Sequence, residues 1–119
     1  NVDANWRLIR TADPLLRRAA AGRALFVTSG VTQGSLPYWG PYAVSKTALE
    51  QLVLTYAAEC ANSTVKVNLF DPGVVATQMR AAAFPGENPA TLARPEDVAA
   101  RMLPLLLPDT IPHATRISA

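Results

Sequence analysis

Two short apolar runs limit what this chain can fold into. They are Ala24-Leu25-Phe26-Val27-Thr28 and Val65-Lys66-Val67-Asn68-Leu69-Phe70. Each is strand-length, rich in β-branched or aromatic residues, and stopped by turn residues: Ser29-Gly30 after the first, Asp71-Pro72-Gly73 after the second. The first reads as a strand buried on both faces. Helical stripes surround them. Leu8, Ala12, Leu15 and Ala19, with Ile9 and Leu16 beside them, predict a helix over residues 1–20. Pro14 inside it removes a backbone donor and should bend it, and Gly22 is a plausible stop. Leu49, Leu52, Val53, Tyr56 and Cys60 form a second stripe, which predicts a helix over 42–61. Residues 30–41 and 84–93 read as loops and 74–83 as a short helix. Pro95-Glu96-Asp97 opens a helix to about Leu106, because proline suits the first turn and acids suit its dipole. Thr115-Arg116-Ile117-Ser118 reads as a last short strand.

Helices alternating with strands imply an α/β fold with a parallel sheet and crossover helices. In 119 residues this leaves room for one domain. Half of the residues are hydrophobic and 17% are charged, which excludes a disordered chain or a basic nucleic-acid tail. A lone cysteine, Cys60, excludes a disulfide framework or a Cys-rich zinc site. No apolar run reaches the ~18–20 residues of a membrane span, and no signal pattern heads the chain. A cytoplasmic protein without nucleic-acid or membrane partners is the expectation. Arg7, Arg10, Arg17 and Arg18 read as a solvated helix face rather than a phosphate patch.

The strand at 24–28 would lie at an edge in a three-stranded sheet, yet it has the composition of a central strand. The expectation is therefore an incomplete doubly wound sheet, with residues 1–119 forming the C-terminal half of a larger domain.

The chemistry-bearing pattern is Tyr42-Ala43-Val44-Ser45-Lys46 at the start of the second helix. A spacing of four puts phenol and ammonium on one helix face. An ammonium beside a phenol stabilises phenolate, so such a pair can pass a proton to or from a carbonyl or alcohol oxygen. Alone, the pair reads as an ordinary surface contact. Ser29, thirteen residues upstream at a strand's carboxyl end, changes that reading. The next strand ends in Pro72-Gly73, with Thr77 four residues past the glycine. All of these sites fall on the rim where open parallel sheets bind ligands.

With these residues in place, the sequence resembles the short-chain dehydrogenase/reductase superfamily. The matching residues are Asn1, Ser29-Gly30, Tyr42-x-x-x-Lys46, Asp71-Pro72-Gly73-Val74-Val75-Ala76-Thr77 and Arg94-Pro95-Glu96-Asp97-Val98-Ala99. The resemblance covers essentially this whole chain but only about the second half of a family member. It implies a Rossmann-like fold and an NAD- or NADP-dependent oxidoreductase acting on a carbonyl/alcohol pair. Tyr42 would be the proton donor or acceptor. Lys46 would favour its phenolate and hydrogen-bond the nicotinamide ribose. Ser29 would hold the substrate oxygen, and Asn1 would position a water in the proton relay. Tyr42, Lys46, Pro72, Gly73, Val75 and Thr77 would contact the cofactor. The family's Gly-rich turn, which cradles the pyrophosphate, has no counterpart among these residues, nor does the residue that separates NAD from NADP. Helices 2–20 and 42–61 would pair with those of a second subunit, giving a homodimer or homotetramer.

Other residues have plainer readings. His113 stands alone, without a second metal ligand. Cys60 reads as a buried thiol and Asp71 as a turn former. Tyr38 and Trp39 lie where the family lines its substrate pocket, and read equally as pocket wall or subunit contact. Met79 and Phe84 fall where it places its substrate lid, and read nearly as well as core packing. Two alternatives stay open: an epimerase or dehydratase of the extended branch, and a non-catalytic half-domain acting through partner contacts.

Overall fold

The computed structural model describes residues 1–119. Helix α1 spans Val2–Arg18, strand β1 Arg23–Val27, helix α2 Gly40–Glu59 and strand β2 Lys66–Asp71. Helix α3 (Gln78–Ala83), helix α4 (Pro95–Met102) and strand β3 (Arg116–Ser118) follow. The strands form one parallel sheet in the order β1-β2-β3. Parallel neighbours need crossover connections, which α2 supplies before β2 and α3 with α4 supply before β3.

Successive side chains of β2 point to opposite faces of the sheet. Val67 and Leu69 pack with Leu49, Val53, Tyr56, Ala57 and Cys60 of α2 and its cap, and with Ile9 of α1. The intervening Asn68 and Phe70 are also buried, so β2 is covered on both faces. β1 is less covered than its composition predicts. It pairs only with β2, and Val27 at its exit is exposed.

α1 runs unbroken through Pro14 and stops at Arg18, before the expected end. Gly22 acts one step later. A Cβ there would lie 2.5 Å from the Leu16 carbonyl oxygen, so only glycine lets the turn pass beneath the helix. The helix predicted to reach Leu106 is α only to Met102 and continues as a 3-10 turn over Leu103–Leu106. Pro104 explains the change, since it has no N–H to give the α ladder. The loops are more ordered than their composition suggests. Ser29 caps a 3-10 turn over Gly30–Gln33, and Asn88 caps another over Pro89–Thr91.

The arginine cluster on α1 is solvated and locally paired. Arg7 meets Asp3, and Arg17 meets Asp13. Asp13 also accepts the Tyr56 hydroxyl at 2.9 Å, which ties α1 to α2.

Candidate active site

α2 opens with Gly40-Pro41, so its first turn forms just before Tyr42. Tyr42 and Lys46 then share a face. The Lys46 Nζ lies 6.0 Å from the Tyr42 ring centroid and donates to the Val27 carbonyl at 2.9 Å. Ser29, two residues past Val27, accepts the Val31 N–H at its Oγ, 3.4 Å away. All three side chains line one cavity of about 560 Å³ at the carboxyl ends of the strands.

The opposite wall comes from the exit of β2. Asp71 Oδ1 accepts the Gly73 N–H at 3.0 Å, and Gly73 takes a φ of +67° that side chains disfavour. Nothing would lie within 4 Å of a Cβ at Gly73, so its bare backbone faces open space. Thr77 caps α3 by accepting the Arg80 N–H at 3.1 Å. Pro72, Gly73, Val75 and Thr77 all line the cavity. The rest of the wall is largely apolar, including Val31, Leu36, Met79 and Met102.

Burial lowers the Lys46 pKa from the ordinary lysine range. The second cation on the wall, Arg80, is already engaged. Its guanidinium makes two bonds to Glu87, at 2.6 and 2.7 Å, and lies 3.7 Å from the Phe84 ring centroid. Phe84 stacks on Trp39 at 5.8 Å, and Trp39 meets Tyr42 edge-on at 5.5 Å. The segment after α3 is thus latched to the start of α2 beside the phenol.

Two sequence-predicted residues stand elsewhere. Tyr38 is not pocket wall: it sits at a φ of 70° and is fully exposed to solvent. Asn1 does not line the cavity. Its amide donates to Ser45 Oγ at 2.9 Å, and Ser45 donates to the Tyr42 carbonyl at 2.8 Å. Sequence reasoning missed Glu50 and Arg116. They join the ends of all three strands beneath Ser29. Their contacts span 18 to 87 residues, which no local pattern reports. The arrangement can hold a carbonyl or alcohol oxygen between two hydroxyls, with a half-buried cation close by.

The short chain dehydrogenase family profile matches residues 1–88. The uncharacterized oxidoreductase YciK of Escherichia coli K12 is 39% identical over 98 residues, covering 82% of this chain and 38% of that protein. Dehydrogenase/reductase SDR family member 4 of Rattus norvegicus is 36% identical over 77 residues, 65% of this chain and 28% of its own length. A short chain dehydrogenase structure from Salmonella enterica serovar Typhi superposes with a TM-score of 0.93 at 35% identity, covering 98% of this chain and 49% of that one. A Shigella flexneri 2a structure complexed with NADP gives 0.91 at 34% identity, covering 98% and 49%. The chain therefore spans about half of these solved structures and less of the curated relatives. The motif residues, the parallel sheet and these likenesses agree: the chain belongs to the short chain dehydrogenase family.

Proposed function

We propose that the protein containing this sequence is an NAD(P)-dependent oxidoreductase that interconverts a carbonyl and an alcohol at the cavity between α2 and the strand ends. The observation that carries this reading is the convergence of Ser29, Tyr42 and Lys46 on one cavity. The residues present suit the nicotinamide end of such a cofactor. Lys46 spends one N–H on Val27 and keeps two. Thr77 Oγ accepts from Arg80 and keeps its proton for a ligand. Gly73 and Pro72 offer a close backbone surface. No phosphate-binding turn stands among these residues. On this reading they form the C-terminal, catalytic half of a single Rossmann-like domain.

The bound cofactor supplies or accepts the hydride. In the reducing direction Ser29 donates a hydrogen bond to the substrate oxygen. Tyr42 gives that oxygen its proton as negative charge develops there. Lys46 stabilises the phenolate left behind, held in place by Val27. Asn1 acts indirectly, holding Ser45 and through it the Tyr42 main chain. The apolar wall, and an Arg80 already neutralised by Glu87, favour a neutral apolar carbonyl over a carboxylate-bearing one. Leu8 and Leu15, 62% and 60% exposed on α1, support a homodimer or homotetramer formed through the α1 and α2 faces. Light scattering on the intact protein checks it, and a monomer would refute it.

The direct test of the chemistry is Tyr42→Phe in the intact protein. Turnover should fall by at least about 10²-fold with folding unchanged. Near-normal turnover would remove the assignment.

A further inference from the structure

Three consecutive residues at the exit of β1 are each held by a charged side chain. The Val27 carbonyl accepts from Lys46. The Thr28 hydroxyl donates to Glu50. The Ser29 carbonyl accepts from Arg116 Nη2 at 3.2 Å, and also from the Thr32 N–H at 3.2 Å and the Thr32 hydroxyl at 3.0 Å. Glu50 lies one turn beyond Lys46, so Tyr42, Lys46 and Glu50 form a ladder along one face of α2. Arg116 comes from β3, 87 residues after Ser29.

Arg116 uses both terminal nitrogens of its planar fork. Nη2 also donates to Asp71 Oδ2 at 2.7 Å, and Nη1 donates to Glu50 Oε1 and to Thr32 Oγ1, the latter at 3.1 Å. The three charged side chains are 14% to 21% exposed, shielded enough for geometry to matter. One guanidinium thus joins the ends of β1, β2 and β3 to α2. Neutralising Glu50 and Asp71 would need only a cation. Holding Thr32, Glu50, Asp71 and the Ser29 carbonyl together needs the fork, because a lysine ammonium offers three donors on a single nitrogen.

We propose that Arg116 is a positioning residue for Ser29, fixing the peptide that aims its hydroxyl at the substrate oxygen beside Tyr42. The proposal rests on the catalytic reading above. In this role Arg116 touches no substrate. It sets the separation between two groups that do, and a displacement of about 1 Å at such a site costs up to ~10²-fold in rate.

The test is a double-mutant cycle in the intact protein, with NADPH and a neutral aryl diketone as the probe. Arg116→Lys keeps a cation between Glu50 and Asp71, and so keeps the fold, but loses the Ser29 contact. It should lower kcat about tenfold, and have almost no effect in a Ser29→Ala background, because the group being positioned is gone. Amide exchange should speed up over residues 28–33 and stay unchanged in β2. Wild-type kcat in Arg116→Lys, an equal loss in both backgrounds, or unchanged exchange over 28–33 would overturn the proposal. Tyr42→Phe, measured alongside, separates the two claims. Full activity there removes the catalytic reading and the proposal together, whereas a large loss there with an additive cycle removes the proposal alone.

Discussion

Lys46 reaches across from α2 to donate its ammonium to the Val27 carbonyl at 2.9 Å. The cation one turn from Tyr42 is thereby anchored to the same strand exit that leads to Ser29. Burial lowers its pKa, so its charge is lost as pH rises through a value below the ordinary lysine range. Carbonyl reduction should therefore show an alkaline limb below that range. Lys46→Arg keeps its charge at any working pH, so the limb should move upward even if the rate falls. Lys46→Met should lower turnover by about 10²-fold. A pH profile unchanged in Lys46→Arg would show that Lys46 is not the titrating group.

The latch beside the phenol makes a second prediction. Trp39 and Phe84 stack at 5.8 Å, and the Arg80 guanidinium lies 3.7 Å from the Phe84 ring centroid. An aromatic pair adds about 0.5–1.5 kcal/mol beyond its buried area. Phe84→Ala should raise KM for a neutral carbonyl substrate roughly threefold to tenfold, with kcat nearly unchanged. A fall in kcat at constant KM would mean that the stack acts on Tyr42 rather than on the wall.

Tyr42, Lys46 and Ser29 were legible because their relationship is local: a helix spacing of four, and a strand end followed by a short loop. The strands were legible from short apolar runs, although β1, whose composition suits a central strand, pairs only with β2. Tyr38 and Trp39 had one reading in the sequence, but only Trp39 lines the cavity, whereas Tyr38, at a φ of 70°, is fully exposed. Pro104 carries a readable signal against a long fourth helix, which the strong opening at Pro95-Glu96-Asp97 does not report. Asp71 was read as a turn former, and one of its oxygens does that work. The other oxygen meets Arg116, 45 residues away, which only the fold reveals.

The Arg80–Glu87 pair predicts an acid response. The hydrogen bonds from Arg80 hold the Glu87 carboxyl below the ordinary glutamate range. A lowered folded-state value means that the pair stabilises the segment above the unfolded value and stops doing so as pH falls through the folded one. Exchange protection over residues 84–92 should drop in that acid window. Glu87→Gln should show the same loss at neutral pH, with β2 still protected. Equal protection in wild type and variant at neutral pH would show that the stacking alone holds the segment.

His113, which looked isolated in the sequence, bridges β2 and α2. Its Nδ1 accepts the Val67 N–H at 3.2 Å, so the ring proton is on Nε2, which donates to the Ala57 carbonyl at 3.0 Å. Ala57 and Val67 are both completely buried. The Ala57 carbonyl also accepts the Cys60 N–H at 3.0 Å, so it keeps a partner without the imidazole. Val67 N–H stands just ahead of the β2–β3 ladder, where the chain passes through residues 113–115 before strand pairing begins at Arg116. There the imidazole takes the place of a strand carbonyl. His113→Leu should therefore strand one buried donor, at a cost of about 1–3 kcal/mol. His113→Asn places an amide oxygen near the position of Nδ1 and should recover most of that loss. Chemical denaturation of the intact protein and both variants measures the difference. Equal destabilisation by Leu and Asn would show that ring packing, not the hydrogen bond to Val67, is what His113 contributes.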